Sequence, residues 1–225
     1  MKFENTAVFN FEGAIRSMRN PLNSWNKSDS HYCLPKDTYN WDSCTGTDIN
    51  WTPYLIGEND LNLAQRLLAG GSEHSKFMRA IGVNVDIIAP QFWVAEHDTY
   101  KVGTTRNSCS FMHKGVSKPF ELSDFEQHTD KLLLEFEVTD AWHNVICALN
   151  KLRDLYLETK DEKYFLAIRS LLPMGYNYRY TWTANYAILR NIYFQRRNHR
   201  LPEWHEFCDW IASLPYGKEL IMYEK

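Results

Sequence analysis

Several signals are missing from these 225 residues, and each absence excludes something. No run of about 18 apolar residues occurs, so no segment has the length of a membrane-spanning helix. The amino-terminal stretch MKFENTAVFNFEGAIRSMRN carries charge throughout and lacks the apolar core of a secretory signal. A cytoplasmic protein is expected from its cysteine usage. Cysteine is sparse: Cys33, Cys44, Cys109, Cys147 and Cys208 are widely spaced, odd in number and contain no C-x-x-C. That pattern predicts reduced thiols rather than a disulfide framework. Eight histidines form no H-E-x-x-H and no zinc-like cluster, so no metal is predicted. Positive charge is not in excess, with 25 Lys and Arg against 28 Asp and Glu, which excludes a nucleic-acid-coating protein as the default. Repeats, low-complexity tracts and Gly/Ser linkers are absent. At about 150 residues per domain, the length fits one large domain or two small ones; with no linker to divide it, a single domain over 1–225 is the expectation.

What is present is a folded chain. Hydrophobic residues make up 44% and aromatics 15%, too many for disorder. Residues 20–60 are rich in Asn, Ser, Asp, Thr, Trp and Tyr and poor in periodicity, and read as a long ordered loop region carrying Trp25, Trp41 and Trp51. The spacing predicts a helix over 58–70, stopped by Gly70-Gly71. Residues 79–95 alternate with β-branched side chains and predict a strand, with Pro90 at a bend or at the start of a new element. Residues 131–140 fit a short strand or the approach to a helix. The remainder is helical in pattern. One helix starts at Asp140 as a possible N-cap, a second ends at Pro173, a third runs from about Trp182 to Arg197, and a fourth opens with Pro202. A mixed front half and a helical back half predict one α/β or α+β domain.

On the helix expected from Trp182, Asn185 and Arg196 are eleven positions apart, about 20° from alignment at ~100° per residue, and Arg196 shares a stripe with Leu189 and Ile192. Polar residues at both ends of an apolar stripe fit a binding role, or they sit at the stripe's edge and snorkel to solvent. The run Arg196-Arg197-Asn198-His199-Arg200 is the densest basic cluster. It suits either a helix C-terminus or an anion such as phosphate. The segment Thr99 to Ser110 is dense in small donors and contains Lys101, Arg106 and Gly103. It could cradle a phosphate, or it is an ordinary polar loop. It matches no Walker or dinucleotide glycine pattern. Cys109 lies within it and reads as an inert thiol.

Together these residues bring a resemblance into view. Arg169-Ser-Leu-Leu-Pro173, Trp182-Thr-Ala-Asn185, Asn191 and Arg196 resemble the C-terminal signature of the flavin-dependent thymidylate synthases (ThyX). In that signature an Arg-x-x-Leu-Pro is followed after twelve residues by Asn, after six more by Asn and after five more by Arg, and all three intervals are kept here. Ser75-Lys-Phe77 resembles the family's Thr-Pro-Phe, and Ala89-Pro-Gln-Phe92 its Ala-Pro-x-Phe. Residues 99–113 fall where the family carries Arg-His-Arg-x-x-Ser-x-Asn-Glu-x-Ser-x-Arg-Tyr, with Lys101, Thr104, Asn107 and Ser110 of like character once one extra residue is allowed. Thr99 and Tyr100 replace Arg and His there, Ser108 replaces Glu, Met112 replaces Arg and His113 replaces Tyr. Ala187 stands in place of an Arg, with Arg190 one turn away.

The resemblance implies a small α/β fold with a mixed or antiparallel sheet, assembled as a homotetramer with active sites shared between subunits. It implies FAD, reduced by NADPH, and transfer of one carbon from methylenetetrahydrofolate to C5 of dUMP, giving dTMP. By the same likeness Arg196 is catalytic and holds the uracil ring, while Arg169, Glu96, Ser110 and Arg106 bind substrate. Ser75, Lys101, Asn107, Asn185, Asn191 and Arg200 would bind the flavin. Glu96 replaces a Gln, and a carboxylate only accepts where an amide also donates, so a change of base preference is conceivable. The replaced charged positions leave open a hydroxymethylase acting on dUMP or dCMP, a non-catalytic flavin- or nucleotide-binding relative, or a scaffold that keeps only the fold. They also leave open a pocket rebuilt by Arg16, Arg19, Asn23, Trp25 and Asp29.

Overall fold

The computed structural model describes residues 1–33, 54–126, 128 and 138–224. Trp41, Trp51, Cys44 and most of the ambiguous stretch 131–140 lie outside the described residues. The elements in order are β1 (Lys2–Phe9), α1 (Phe11–Arg19), β2 (His31–Tyr32), β3 (Tyr54–Leu55), α2 (Glu58–Ala69), β4 (Gly82–Pro90) and α3 (Gln91–His97). Then follow β5 (Thr105–Ser108), α4 (Phe111–Lys114), α5 (Val138–Thr159), α6 (Glu162–Leu171), β6 (Asn177–Asn185), α7 (Tyr186–Arg196) and α8 (Pro202–Ser213). A four-stranded sheet has the order β1-β4-β6-β5, and β2 pairs antiparallel with β3. The architecture is mixed α/β, as the composition and the resemblance both predict.

The chain divides into two compact units. The first comprises Met1–Lys2, Ile87–Thr99 and Asn107–Tyr180; the second comprises Phe3–Asp86, Tyr100–Arg106 and Thr181–Lys225. In the first, α5 and α6 pack as a pair around Leu149, Phe165 and Ile168, joined by Phe111, Phe120 and Phe125. Asn150 locks the preceding loop onto α5 by exchanging two hydrogen bonds with the Phe120 backbone, at 2.7 and 2.9 Å. Gly175 lets two backbones touch, because a Cβ there would lie 2.4 Å from the Glu126 carbonyl oxygen.

In the second unit, α1, α7 and α8 share a buried core that includes Ile15, Tyr186, Leu189, Ile192, Trp204, Phe207 and Ile211. Phe11 meets Tyr186 edge to face at 5.7 Å, and Trp204 meets Phe207 likewise at 5.8 Å. The Tyr186 hydroxyl donates to the Pro215 carbonyl. The head of Arg190 is taken up by the C-terminal segment, with Nη1 donating to the carbonyls of Leu220, Ile221 and Tyr223 at 3.3, 2.7 and 2.8 Å.

Two expectations are corrected. The third helix begins at Tyr186, not at Trp182, and Asn177–Asn185 is a strand. Tyr180, Trp182 and Ala184 are buried while Arg179 and Thr181 are exposed, a period of two that only a strand produces. The alignment of Asn185 with Arg196 on one helix falls with it, since Asn185 is the extended N-cap at φ −140° and ψ 167°. Leu189 and Ile192 are buried as the stripe requires. Asp140 lies in the first turn of α5, which begins at Val138, rather than at its cap. The ends at Gly70, Leu171 and Pro202 agree with the sequence signals.

Candidate functional site

The second unit carries the fullest polar constellation. Arg196 closes α7, and its guanidinium carbon lies 4.6 Å from the ring centre of buried Trp204 and 5.5 Å from that of Tyr100. Its Nε–H donates to the Tyr100 hydroxyl at 2.8 Å. Tyr100 donates onward to Gln195 Oε1 at 2.9 Å, and the Gln195 amide donates to Asn191 Oδ1 at 2.9 Å. Two of the residues singled out in the sequence, Asn191 and Arg196, are thus joined through Tyr100 and Gln195. A guanidinium held on an aromatic face with one nitrogen anchored is suited to planar, paired recognition.

Asn185 has a structural duty as well. Its side-chain oxygen accepts from the Ile188 N–H at 3.1 Å and caps α7, which leaves its NH2 group for a ligand. Lys101 is exposed in the turn before β5, and Arg106 is half-buried on that strand. Ser75 is half-buried and donates to the Gly71 carbonyl at 3.1 Å. Arg200 is exposed beyond α7. Its neighbour Arg197 pairs with Glu224 at 3.0 Å, which accounts for part of the basic run.

A groove of about 1440 Å³ also belongs to the second unit. Lys27, Arg66, Lys76 and Arg79 line it, against Asp29 and Glu73. It exceeds the roughly 300–1,000 Å³ of a usual small-molecule cleft. Three of the N-terminal candidates, Arg19, Asn23 and Asp29, are on its wall. Two of these are committed to the scaffold: Arg19 pairs with Asp60, and Asp29 accepts from the N–H groups of Asn59 and Asp60 at 2.9 and 3.1 Å. Trp25 is 46% exposed, with the Arg16 guanidinium 5.8 Å from its ring centre.

In the first unit, Ser110 lines a pocket of about 130 Å³ with Lys114, Arg179, Tyr176 and Tyr178. Burial pushes the Tyr176 phenol up to about 12, so at neutral pH it is an uncharged group beside two cations. Phe111 borders the same pocket, and the Arg169 guanidinium lies 6.0 Å from its ring centre. Asn107 is exposed on β5, and Glu96 is half-buried on α3, its carbonyl accepting from Thr99. Among the described residues no group of three or more His, Cys, Asp and Glu is placed to hold a metal, and no helix is long and apolar enough to cross a membrane.

No family model and no curated protein matches this chain in sequence. Solved structures do match in shape. A Helicobacter pylori flavin-dependent thymidylate synthase ThyX, complexed with FAD and dUMP, superposes with a TM-score of 0.66 at 17% identity, covering 98% of this chain and 97% of that one. A second structure of the H. pylori ThyX with FAD and dUMP, at 2.31 Å resolution, gives the same figures. The chain has the ThyX fold. The likeness spans nearly the whole length, beyond the stretch from Ser75 to Arg200 that carries the sequence resemblance.

Tyr100, Gln195 and Trp204 were not legible in the sequence as partners of Arg196. Tyr100 appears there only as the replacement of a ThyX-family His, and Trp204 only as an apolar helix residue. One local signal for Gln195 existed, because it follows Asn191 by four residues on the same helix face.

Proposed function

We propose that this chain is a FAD-dependent pyrimidine-nucleotide C5 one-carbon transferase, a single ThyX-like domain acting in the cytoplasm as a homotetramer. Its reaction would be that of thymidylate synthase, dUMP to dTMP with methylenetetrahydrofolate and NADPH, or a close variant such as dUMP or dCMP hydroxymethylation. The observation that carries this reading is the anchored Arg196 on a fold shared over 98% of the chain with ThyX. The residue signature from Arg169 to Arg196 supports it independently of shape.

The residues divide the work by chemistry. Arg196 would meet the O2/N3 edge of the pyrimidine, where its delocalised charge stabilises the negative charge that builds as C5 is activated. The pocket of Ser110, Lys114 and Arg179, with Arg169, offers the donors that a nucleotide phosphate requires. Glu96 would touch the base, and Arg106 the nucleotide. The donor set of the second unit fits FAD, because Asn185, Asn191, Lys101 and Arg200 can all donate to its carbonyl, ring-nitrogen and phosphate acceptors, while Ser75, its proton given to the Gly71 carbonyl, would meet FAD as an acceptor. By the resemblance Asn107 would also bind the flavin, and its amide is a donor of the same kind. The groove lined by Lys27, Arg66, Lys76 and Arg79 has none of these donors on its wall. When bound, FAD supplies hydride taken from NADPH.

A non-catalytic relative is the second reading, favoured by one observation: Tyr100, in place of the family His, is spent on Arg196 and Gln195. The deciding experiment is the visible absorption spectrum of the purified chain with FAD after removal of the excess, followed by turnover of dUMP and dCMP with the folate donor and NADPH. Bound flavin with turnover supports the enzyme. Bound flavin or nucleotide without turnover moves the assignment to the non-catalytic relative, and no flavin at all overturns the cofactor.

A further inference from the structure

The chain of hydrogen bonds around Arg196 has a direction, and the direction has a consequence. A guanidinium is always protonated and only donates. Its Nε–H donates to Tyr100 at 2.8 Å, so the phenol oxygen is the acceptor in that bond. A phenol has a single proton, and here it goes to Gln195 Oε1 at 2.9 Å. The oxygen of the Gln195 amide being so engaged, its NH2 end faces Asn191 Oδ1 at 2.9 Å. Asn191 is thereby left with its own NH2 end turned to solvent on the exposed side of α7.

We propose that Tyr100 is a positioning residue that fixes the Arg196 guanidinium and, through Gln195, sets Asn191 to present a hydrogen-bond donor to its ligand. An amide free to flip would accept or donate as its ligand demanded. This one is polarised by a permanent cation three hydrogen bonds away along the chain of contacts. Asn191 therefore selects an acceptor atom, a carbonyl oxygen or an unprotonated ring nitrogen, and disfavours a donor. At the other end, Arg196 is held by two restraints, its bound Nε–H and Trp204 under its face, and the Tyr100 ring that takes the Nε–H itself stands edge-on to Trp204 at 6.0 Å and 77°. Holding the guanidinium before the ligand arrives removes an ordering cost from binding. A shared chain also couples the two positions, so that a ligand ordering one end favours order at the other. The choice of ligands at the two ends, FAD at Asn191 and dUMP at Arg196, rests on the function proposed above; the polarity itself does not.

The test therefore has two arms on the full chain. In the first no ligand is used. Nitrogen-15 NMR follows the Arg196 Nε–H and the side-chain amides of Gln195 and Asn191 in the parent and in Tyr100→Phe, which deletes the hydroxyl and keeps the ring. Loss of the protected Arg196 Nε–H signal together with shifts of both amides is the expected result. Three unchanged signals overturn the proposal.

In the second arm, dUMP is titrated into the FAD-loaded chain, and FAD into the empty one. Tyr100→Phe is expected to weaken dUMP about tenfold and FAD by a smaller factor, with kcat falling more than KM rises. Gln195→Glu, which keeps the acceptor for Tyr100 but has no amide proton for Asn191, should weaken FAD and leave the fold intact by circular dichroism. Arg196→Lys separates the two claims. If it weakens dUMP while Tyr100→Phe stays within about twofold of the parent, the positioning role is wrong and the functional reading stands. If the parent binds neither FAD nor dUMP, the functional reading falls and the ligand-free signals decide the positioning role alone.

Discussion

The Arg19 Nε–H donates to Asp60 Oδ1 at 2.5 Å, with the two side chains 6% and 0% exposed. Asp60 Oδ2 takes four further donors, the hydroxyls of Ser28 and Ser30 at 2.6 Å each and the N–H groups of Asp29 and Ser30 at 3.2 Å each. One carboxylate thus ties the end of α1 and the segment after it to the start of α2. Burial pushes its pKa up, but the hydrogen bonds from Ser28, Ser30 and Arg19 outweigh burial and hold it below the usual range. A carboxylate lowered on folding stabilises the fold above its unfolded pKa of about 4 and loses that contribution as pH falls through the folded value. Asp60→Asn should cost about 3 kcal/mol in urea unfolding at pH 7, since it leaves a buried guanidinium unpaired. It should also flatten the acid limb of the stability profile below about pH 4. A variant whose acid limb matches the parent would show that Asp60 does not carry it.

The N-terminus of α2 is capped from a distance. Gly57 at the cap position has no side chain, and Asp29 reaches in to accept from the Asn59 and Asp60 N–H groups. A Cβ on Gly57 would lie 2.2 Å from Asp29 Cγ, so the glycine makes room for the remote cap. Asp29→Ala is expected to lose about 1 kcal/mol and to speed hydrogen exchange at Asn59 and Asp60, with α8 unaffected. Equal exchange at those two amides would rule the cap out.

Capping can be separated from the proposed flavin contact at Asn185. Asp at this position keeps the oxygen that accepts from Ile188 and loses the NH2 group. Asn185→Asp should therefore hold its thermal midpoint while weakening FAD, whereas Asn185→Ala should lose about 1 kcal/mol as well as affinity. Full FAD affinity in Asn185→Asp would remove this residue from the flavin contacts.

Thiol reactivity should follow burial. Burial, with Asp209 beside it, pushes the Cys208 thiol up to about 11, and the side chain is enclosed. Cys109 and Cys147 are exposed. Iodoacetamide at pH 8 followed by peptide mass spectrometry should label those two in the native chain and Cys208 only in urea. Native labelling of Cys208 at a comparable rate would contradict its burial.

Most of the helices could be read from the chain because their signals are local. Pro202 opens α8, Gly70 closes α2 and Pro173 follows the end of α6 at Leu171, all within a turn of the residue concerned. The strand β6 was as legible by its alternation of Tyr178, Tyr180, Trp182 and Ala184, but those same aromatic residues also extend the apolar pattern of α7 backward. Asn185 is where the period changes from two to about 3.6, and its amide marks the boundary by capping.

By itself the sequence determined the α/β class, most of the helices and the spacing from Pro173 through Asn185 and Asn191 to Arg196, since each depends on neighbours along the chain. Tertiary structure alone decided which residues meet across it. It set Tyr100 against Arg196, 96 positions apart, and Arg19 against Asp60, 41 apart. Such pairs leave no periodic trace in a single chain, because the partner of a polar group is chosen by the packing of the elements that carry it. For the same reason Arg19 and Asp29, candidates for a rebuilt pocket when read along the chain, hold the scaffold beside the groove they line.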